Sequence, residues 1–168
     1  MNNFAIETML IILLVLFVLL VATQVWLWLR PFAYDLRLPI ALKQSVRSLM
    51  TSLDQVKPQG VIEMRYADLF EQISLRKTPM PKKLELVKSL FDELKTQPVP
   101  KGRDQHEQEI IAVSVHQFDA LLSQASLSSR TLCYSNTGYF LSACGVWLCQ
   151  ILLAKEEEAI ASVDEKNR

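Results

Sequence analysis

The sequence predicts an all-α protein: an N-terminal transmembrane helix followed by a small cytoplasmic helical bundle, with a candidate second transmembrane helix near the C-terminus. Three observations carry this. Every residue from Met9 to Ala22 is apolar. Half of the 168 residues are hydrophobic while only 8% are aromatic, and four glycines are too few for a turn-rich β protein. Beyond the first apolar run, apolar residues recur at steps of three and four, the period of an amphipathic helix. The length accommodates one globular domain at most.

The first apolar run extends through Val25, Trp26, Leu27, Trp28 and Leu29, interrupted only by Thr23 and Gln24. As a helix, Met9 to Leu29 covers about 30 Å, the hydrocarbon thickness of a bilayer. A soluble core helix is the weaker reading, because so small a remaining chain could not wrap a helix that is apolar on every face. A cleaved signal peptide is the sharper rival. It would carry a positive n-region, whereas Met1 to Thr8 contains Glu7 and no Lys or Arg. Trp26, Trp28, Arg30 and Tyr34, with Phe32, make an interfacial belt of amphipathic rings and a snorkelling cation. A retained signal-anchor is therefore expected. Arg30, Arg37, Lys43 and Arg47 all follow the span, which places the N-terminus outside and residues 31–130 in the cytoplasm.

Seven segments follow from composition: an anchor over 1–30, an interfacial connector over 31–39, a basic helical region over 40–97, a linker over 98–106, an amphipathic helix over 107–130, a second apolar helix over 131–154 and an acidic tail over 155–168. The connector is bracketed by Pro31 and Pro39, and a bend at the membrane surface is expected there. Leu42, Val46, Leu49, Leu53 and Val56 then step by four and three, marking a helix that pairs along one seam. Ile62, Tyr66, Leu69 and Ile73 predict a second helix over 61–76, and Leu84, Val87, Phe91 and Leu94 a third. Ile111, Val115, Phe118, Leu122 and Ala125 predict a fourth, with a short strand over 110–115 as the alternative because β-branched residues dominate there.

Net charge is zero overall but not along the chain. Residues 30–103 carry 14 basic and 8 acidic side chains, whereas residues 104–168 carry 4 and 9. The sign changes at Pro98-Val99-Pro100-Lys101-Gly102, which is expected to divide the soluble part. The basic half could meet anionic headgroups, although interleaved acids favour solvated helix faces beyond Arg47. Nothing in this balance points to nucleic acid.

Leu132 to Ala154 is 23 residues without a charge, diluted by Ser135, Asn136, Thr137, Ser142 and Gln150. Gly138, Ser142, Gly145 and Cys149 form a stripe of small residues that lets two helices approach closely, in lipid or in a soluble core. Insertion, giving a hairpin with both termini outside, is slightly favoured over burial in the bundle.

Chemistry is sparse. His106 and His116 lack the partners of a zinc-binding helix; the first reads as a solvated loop residue and the second as a partly exposed helix residue. Cys133, Cys144 and Cys149 lie among apolar neighbours and read as small hydrophobes. No phosphate-binding loop or nucleophile elbow occurs, so no catalytic residue, cofactor or metal is assigned. The expectation is a non-enzymatic, membrane-anchored interaction or scaffold component of a membrane protein complex, in a bacterial inner membrane. Its partners would be the lipid bilayer and other proteins or further copies of itself. The alternative is a two-span pore or transporter accessory subunit that oligomerises through the second apolar helix.

Overall fold

A computed structural model describes residues 2–56, 62, 64–98 and 103–154. Among the described residues there are seven helices and no strand: α1 (Asn2–Asp35), α2 (Ile40–Asp54), α3 (Met64–Ser74), α4 (Met80–Leu94), α5 (Gln105–Gln124), α6 (Arg130–Cys133) and α7 (Asn136–Leu153). The acidic tail lies outside the described residues, as do 99–102 of the linker and 57–61 of the preceding turn.

The long helix α1 meets the other helices only at its C-terminal end. From Ile6 through Leu29 its side chains are exposed, none of its most apolar window being buried. Thr23 removes its own polarity from this surface, its hydroxyl donating to the Leu20 carbonyl at 2.7 Å. The chain turns within the connector bracketed by Pro31 and Pro39, at its far end rather than at Pro31. The helix runs through Pro31 to Asp35, and the chain turns over Leu36–Pro39. A proline inside a helix deletes one backbone hydrogen bond and crowds the preceding turn. Here the turn beyond it is held from outside, because α1 packs against α6 and α7.

The remaining helices enclose one core. The central element is α7, which packs against α2, α4 and α5. Leu49 and Leu53 from α2, Leu84 and Phe91 from α4, Ile111 and Phe118 from α5, and Leu141 and Leu148 from α7 are fully enclosed. Phe91 and Phe118 meet edge to face with ring centroids 4.8 Å apart, the arrangement favoured by the ring quadrupoles. This core draws on helices before and after Pro98, so the division expected at the linker is not a boundary between two cores.

Capping explains one boundary that periodicity misplaced. Asp104 accepts from the Glu107 backbone N–H at 2.7 Å, so α5 begins two residues earlier than 107 and includes His106 in its first turn. The segment over 110–115 is helical throughout; packing of Ile111 and Ser114 into the core overrides the β-branched composition. At the end of α4, Lys95 lies 2.9 Å from both Asp92 and Asp119, joining α4 to α5. Those two carboxylates, Asp92 first, raise the Lys95 pKa.

Candidate functional site

The residues with chemical character gather where α1 enters the bundle. The second apolar segment is two helices rather than one, and the break creates the junction. Ser135 donates to the Leu132 carbonyl at 2.7 Å and accepts from the Gly138 N–H at 3.0 Å, ending α6 and capping α7. A Cβ at Gly138 would collide with the Leu132 carbonyl oxygen, which is why the chain can fold back so sharply here.

The open N-terminus of α7 then receives a charge from α1. Asp35 Oδ1 accepts from the Thr137 backbone N–H at 3.0 Å and from its hydroxyl at 2.7 Å. An acid placed on the free N–H groups of a helix start is favoured by both hydrogen bonding and the helix dipole. On the adjoining turn, Lys43 Nζ donates to the Asp35 carbonyl at 3.1 Å. Through Asp35 alone, α1 is thus fastened to α2 and to α7.

A cleft of about 610 Å³ opens beside this fastening. Phe32, Val46, Met50 and Phe140 supply apolar wall, while Asp35, Lys43, Arg47 and Asn136 supply polar edge. A shallower hollow of about 350 Å³ lies between α3, α4 and α7, lined by Met80, Tyr139, Ser142, Val146 and Trp147. Tyr139 and Phe140, consecutive on α7 and exposed, separate the two hollows.

Three arginines meet two tyrosines where α1 touches α6. The Tyr34 and Tyr134 rings lie 5.7 Å apart. Arg30 reaches over both, at 5.7 Å from Tyr34 and 4.6 Å from Tyr134, with Arg37 at 5.8 Å from Tyr34 and Arg130 at 6.0 Å from Tyr134. Tyr34 lies beyond the apolar run. A hydrogen bond with Arg30, ahead of any other influence, holds its phenol below the usual value, and the positive charge of Arg130 and Arg37 acts in the same sense.

The residues singled out by sequence divide between these places. Arg30 and Tyr34 stand in the arginine–tyrosine cluster, and Trp26 and Trp28 are exposed on α1 just before it. Val46, Leu49, Leu53 and Val56 are buried and Leu42 half-buried, all against this chain's own core, so the seam they form pairs within the molecule. Gly145 brings α7 against α4 and α5, since a Cβ there would collide with Val87 Cγ1 and come within 2.6 Å of Phe118 Cζ. Ser142 and Cys149 are buried in the bundle as well. His106 and His116 are exposed on α5, and among the described residues no three His, Cys, Asp or Glu side chains gather as a metal site. Burial pushes the thiols up, Cys144 to about 11 and Cys149 to about 12, which leaves them poor nucleophiles at neutral pH.

Sequence reasoning missed the contact of Asp35 with Thr137, and missed Arg130 and Tyr134 as neighbours of α1. Their meeting depends on a chain reversal at Ser135 whose only local trace is a serine three residues before a glycine.

These features define a helical bundle carried on an apolar helix long enough to cross a membrane. No family model, curated protein or solved structure matches the chain.

Proposed function

We propose that the chain is a non-enzymatic, membrane-anchored interaction protein, in which α1 crosses the bilayer and the bundle is held against the cytoplasmic surface as part of a larger membrane complex. The observation that carries this is the continuity of α1: an apolar, wholly exposed stretch passes without a linker into a turn fastened by Asp35 and Thr137. A flexible tether would leave the bundle free to tumble. A helix built into the core fixes its height and orientation against the lipid, as suits a part that must meet other components in register.

The burial of α7 supports a single anchor over the two-span alternative. Both helices are long and apolar enough to cross a membrane, yet 61% of α7 is buried inside the protein and none of the most apolar stretch of α1 is. The small-residue stripe that would mediate oligomerisation in lipid is occupied by Val87, Phe118 and Leu132 of the same chain. Arg30, Arg37, Lys43 and Arg47 support an inward bundle, in a bacterial inner membrane.

Protein contact in this reading falls to the exposed Tyr139 and Phe140 between the two hollows, since aromatic side chains offer large contact area at low entropic cost. The test has two parts. The full chain expressed in bacteria should resist alkaline extraction from membranes, and Tyr139→Ser with Phe140→Ser should abolish cross-linked complexes while leaving extraction unchanged. Release by alkali would contradict the anchor, and intact complexes would contradict the face.

A further inference from the structure

We infer that Arg30, Arg37 and Arg130, gathered on the Tyr34 and Tyr134 rings, form a binding site for the phosphate of an anionic phospholipid headgroup; this rests on the membrane-anchored reading above. Three features of the cluster point to that ligand. The first is an unbalanced charge. Among the described residues none of the three guanidinium groups has a carboxylate partner, and Asp35, the acid between Arg30 and Arg37 in sequence, is engaged by Thr137. Three like charges within about 6 Å of one tyrosine pair repel one another, and a bound anion relieves that repulsion.

The second feature is preorganisation. Arg130 is brought to Arg30 across 100 positions of sequence by α6, and the tilted pair of rings offers the planar guanidinium groups faces to lie against. A rigid planar fork matches phosphate oxygens in a way that a freely rotating lysine does not. The third is depth. Arg30 follows Leu29 directly, so the cluster sits where the apolar surface of α1 ends, at the level of lipid phosphates when the helix crosses a bilayer. A lipid placed there lays its acyl chains along the exposed face of α1 while its phosphate meets the arginines. An inorganic phosphate would have only the second contact.

The full chain purified in a neutral maltoside detergent provides the test, with retained lipid counted by native mass spectrometry after mixing with equal amounts of phosphatidylglycerol and phosphatidylcholine. Phosphatidylglycerol should be retained preferentially. Arg30→Gln, Arg37→Gln and Arg130→Gln should each lower the preference roughly fivefold. Lys88→Gln, which removes an exposed charge elsewhere, should not change it. Arg30→Lys with Arg130→Lys keeps the charge but loses the fork, and should retain only part of the preference. Equal retention of the two lipids would overturn the proposal, as would a preference surviving the triple glutamine variant while its helical circular dichroism is intact. Displacement of the lipid by millimolar inorganic phosphate would assign the site to a free anion and overturn it too. Flotation of the chain with pure phosphatidylcholine vesicles reads the anchor alone, so failure of the anchored reading is seen separately from failure of the headgroup site.

Discussion

Asp35 and Thr137 are 102 positions apart in sequence, yet one carboxylate oxygen of the first takes both the backbone N–H and the hydroxyl of the second. That pair joins the end of an exposed apolar helix to the start of the most buried one. It converts two elements that could each be read as a separate membrane segment into one rigid arrangement.

Removing the carboxylate should loosen this joint. Asp35→Ala leaves the Thr137 donors facing a gap and should cost about 2 kcal/mol in denaturant unfolding, the size of a charge-assisted hydrogen bond. Thr137→Val removes the hydroxyl but not the N–H and should cost less. In a double-mutant cycle the two changes should be strongly non-additive; strict additivity would mean that the contact contributes nothing.

The glycine at the centre of the bundle gives a sharper steric test. Gly145→Ala should destabilise the fold by about 1–3 kcal/mol through overpacking. Val87→Ala in the same chain should recover part of that loss, because the Val87 methyl group is the first atom an added Cβ meets. Thermal unfolding followed by circular dichroism reads both. At Gly138 the obstacle is the Leu132 backbone carbonyl, and no side-chain trimming should rescue Gly138→Ala.

Helical periodicity made the bundle legible. Leu49, Leu53, Phe91 and Phe118 all lie on faces that their spacing marks as buried, and all are enclosed. Periodicity gives the inner face of a helix without giving its neighbour. The Leu42 to Val56 seam could therefore be read as a partner surface, although it closes on the chain's own α5 and α7. The second apolar segment was ambiguous for a related reason, because the central helix of a small bundle and a membrane span have similar composition. The site was the least legible part. Arg30 and Tyr34 announced themselves as interface residues, but Arg130 opens a four-residue helix with no periodic signal and Tyr134 follows its end, and only the turn at Ser135 brings them to α1.

Leu49→Asp and Leu53→Asp should consequently act on folding rather than on association. An unpaired charge at either position is buried and costs several kcal/mol. Loss of helical circular dichroism is the expected result, against near-native unfolding for Met50→Asp on the exposed neighbouring position. Native helicity in the leucine variants would contradict the core assignment.

The buried thiols predict a pH dependence with a definite sign. Cys144 and Cys149 ionise less readily in the folded protein, at about 11 and about 12, than at the ordinary value of 9.0. Their neutral forms therefore favour folding fully below pH 9.0, and that contribution is lost as the pH rises through the folded values. The urea midpoint should fall on the alkaline side of pH 9.0, and more steeply than in a chain carrying Cys144→Ala and Cys149→Ala. Parallel curves would show that the thiols do not titrate with unfolding.

The central claim is that α1 alone crosses the membrane while α7 is the core of the bundle. Its most direct test is the side of the membrane on which the C-terminus lies. In a chain whose native cysteines are replaced by alanine, Ser162→Cys should escape an impermeant thiol reagent in intact bacteria and react once the membrane is opened, as Lys88→Cys should. Asn3→Cys should react in intact cells. Labelling of Ser162→Cys from outside, with Lys88→Cys still protected, would put a second span between them and contradict the account.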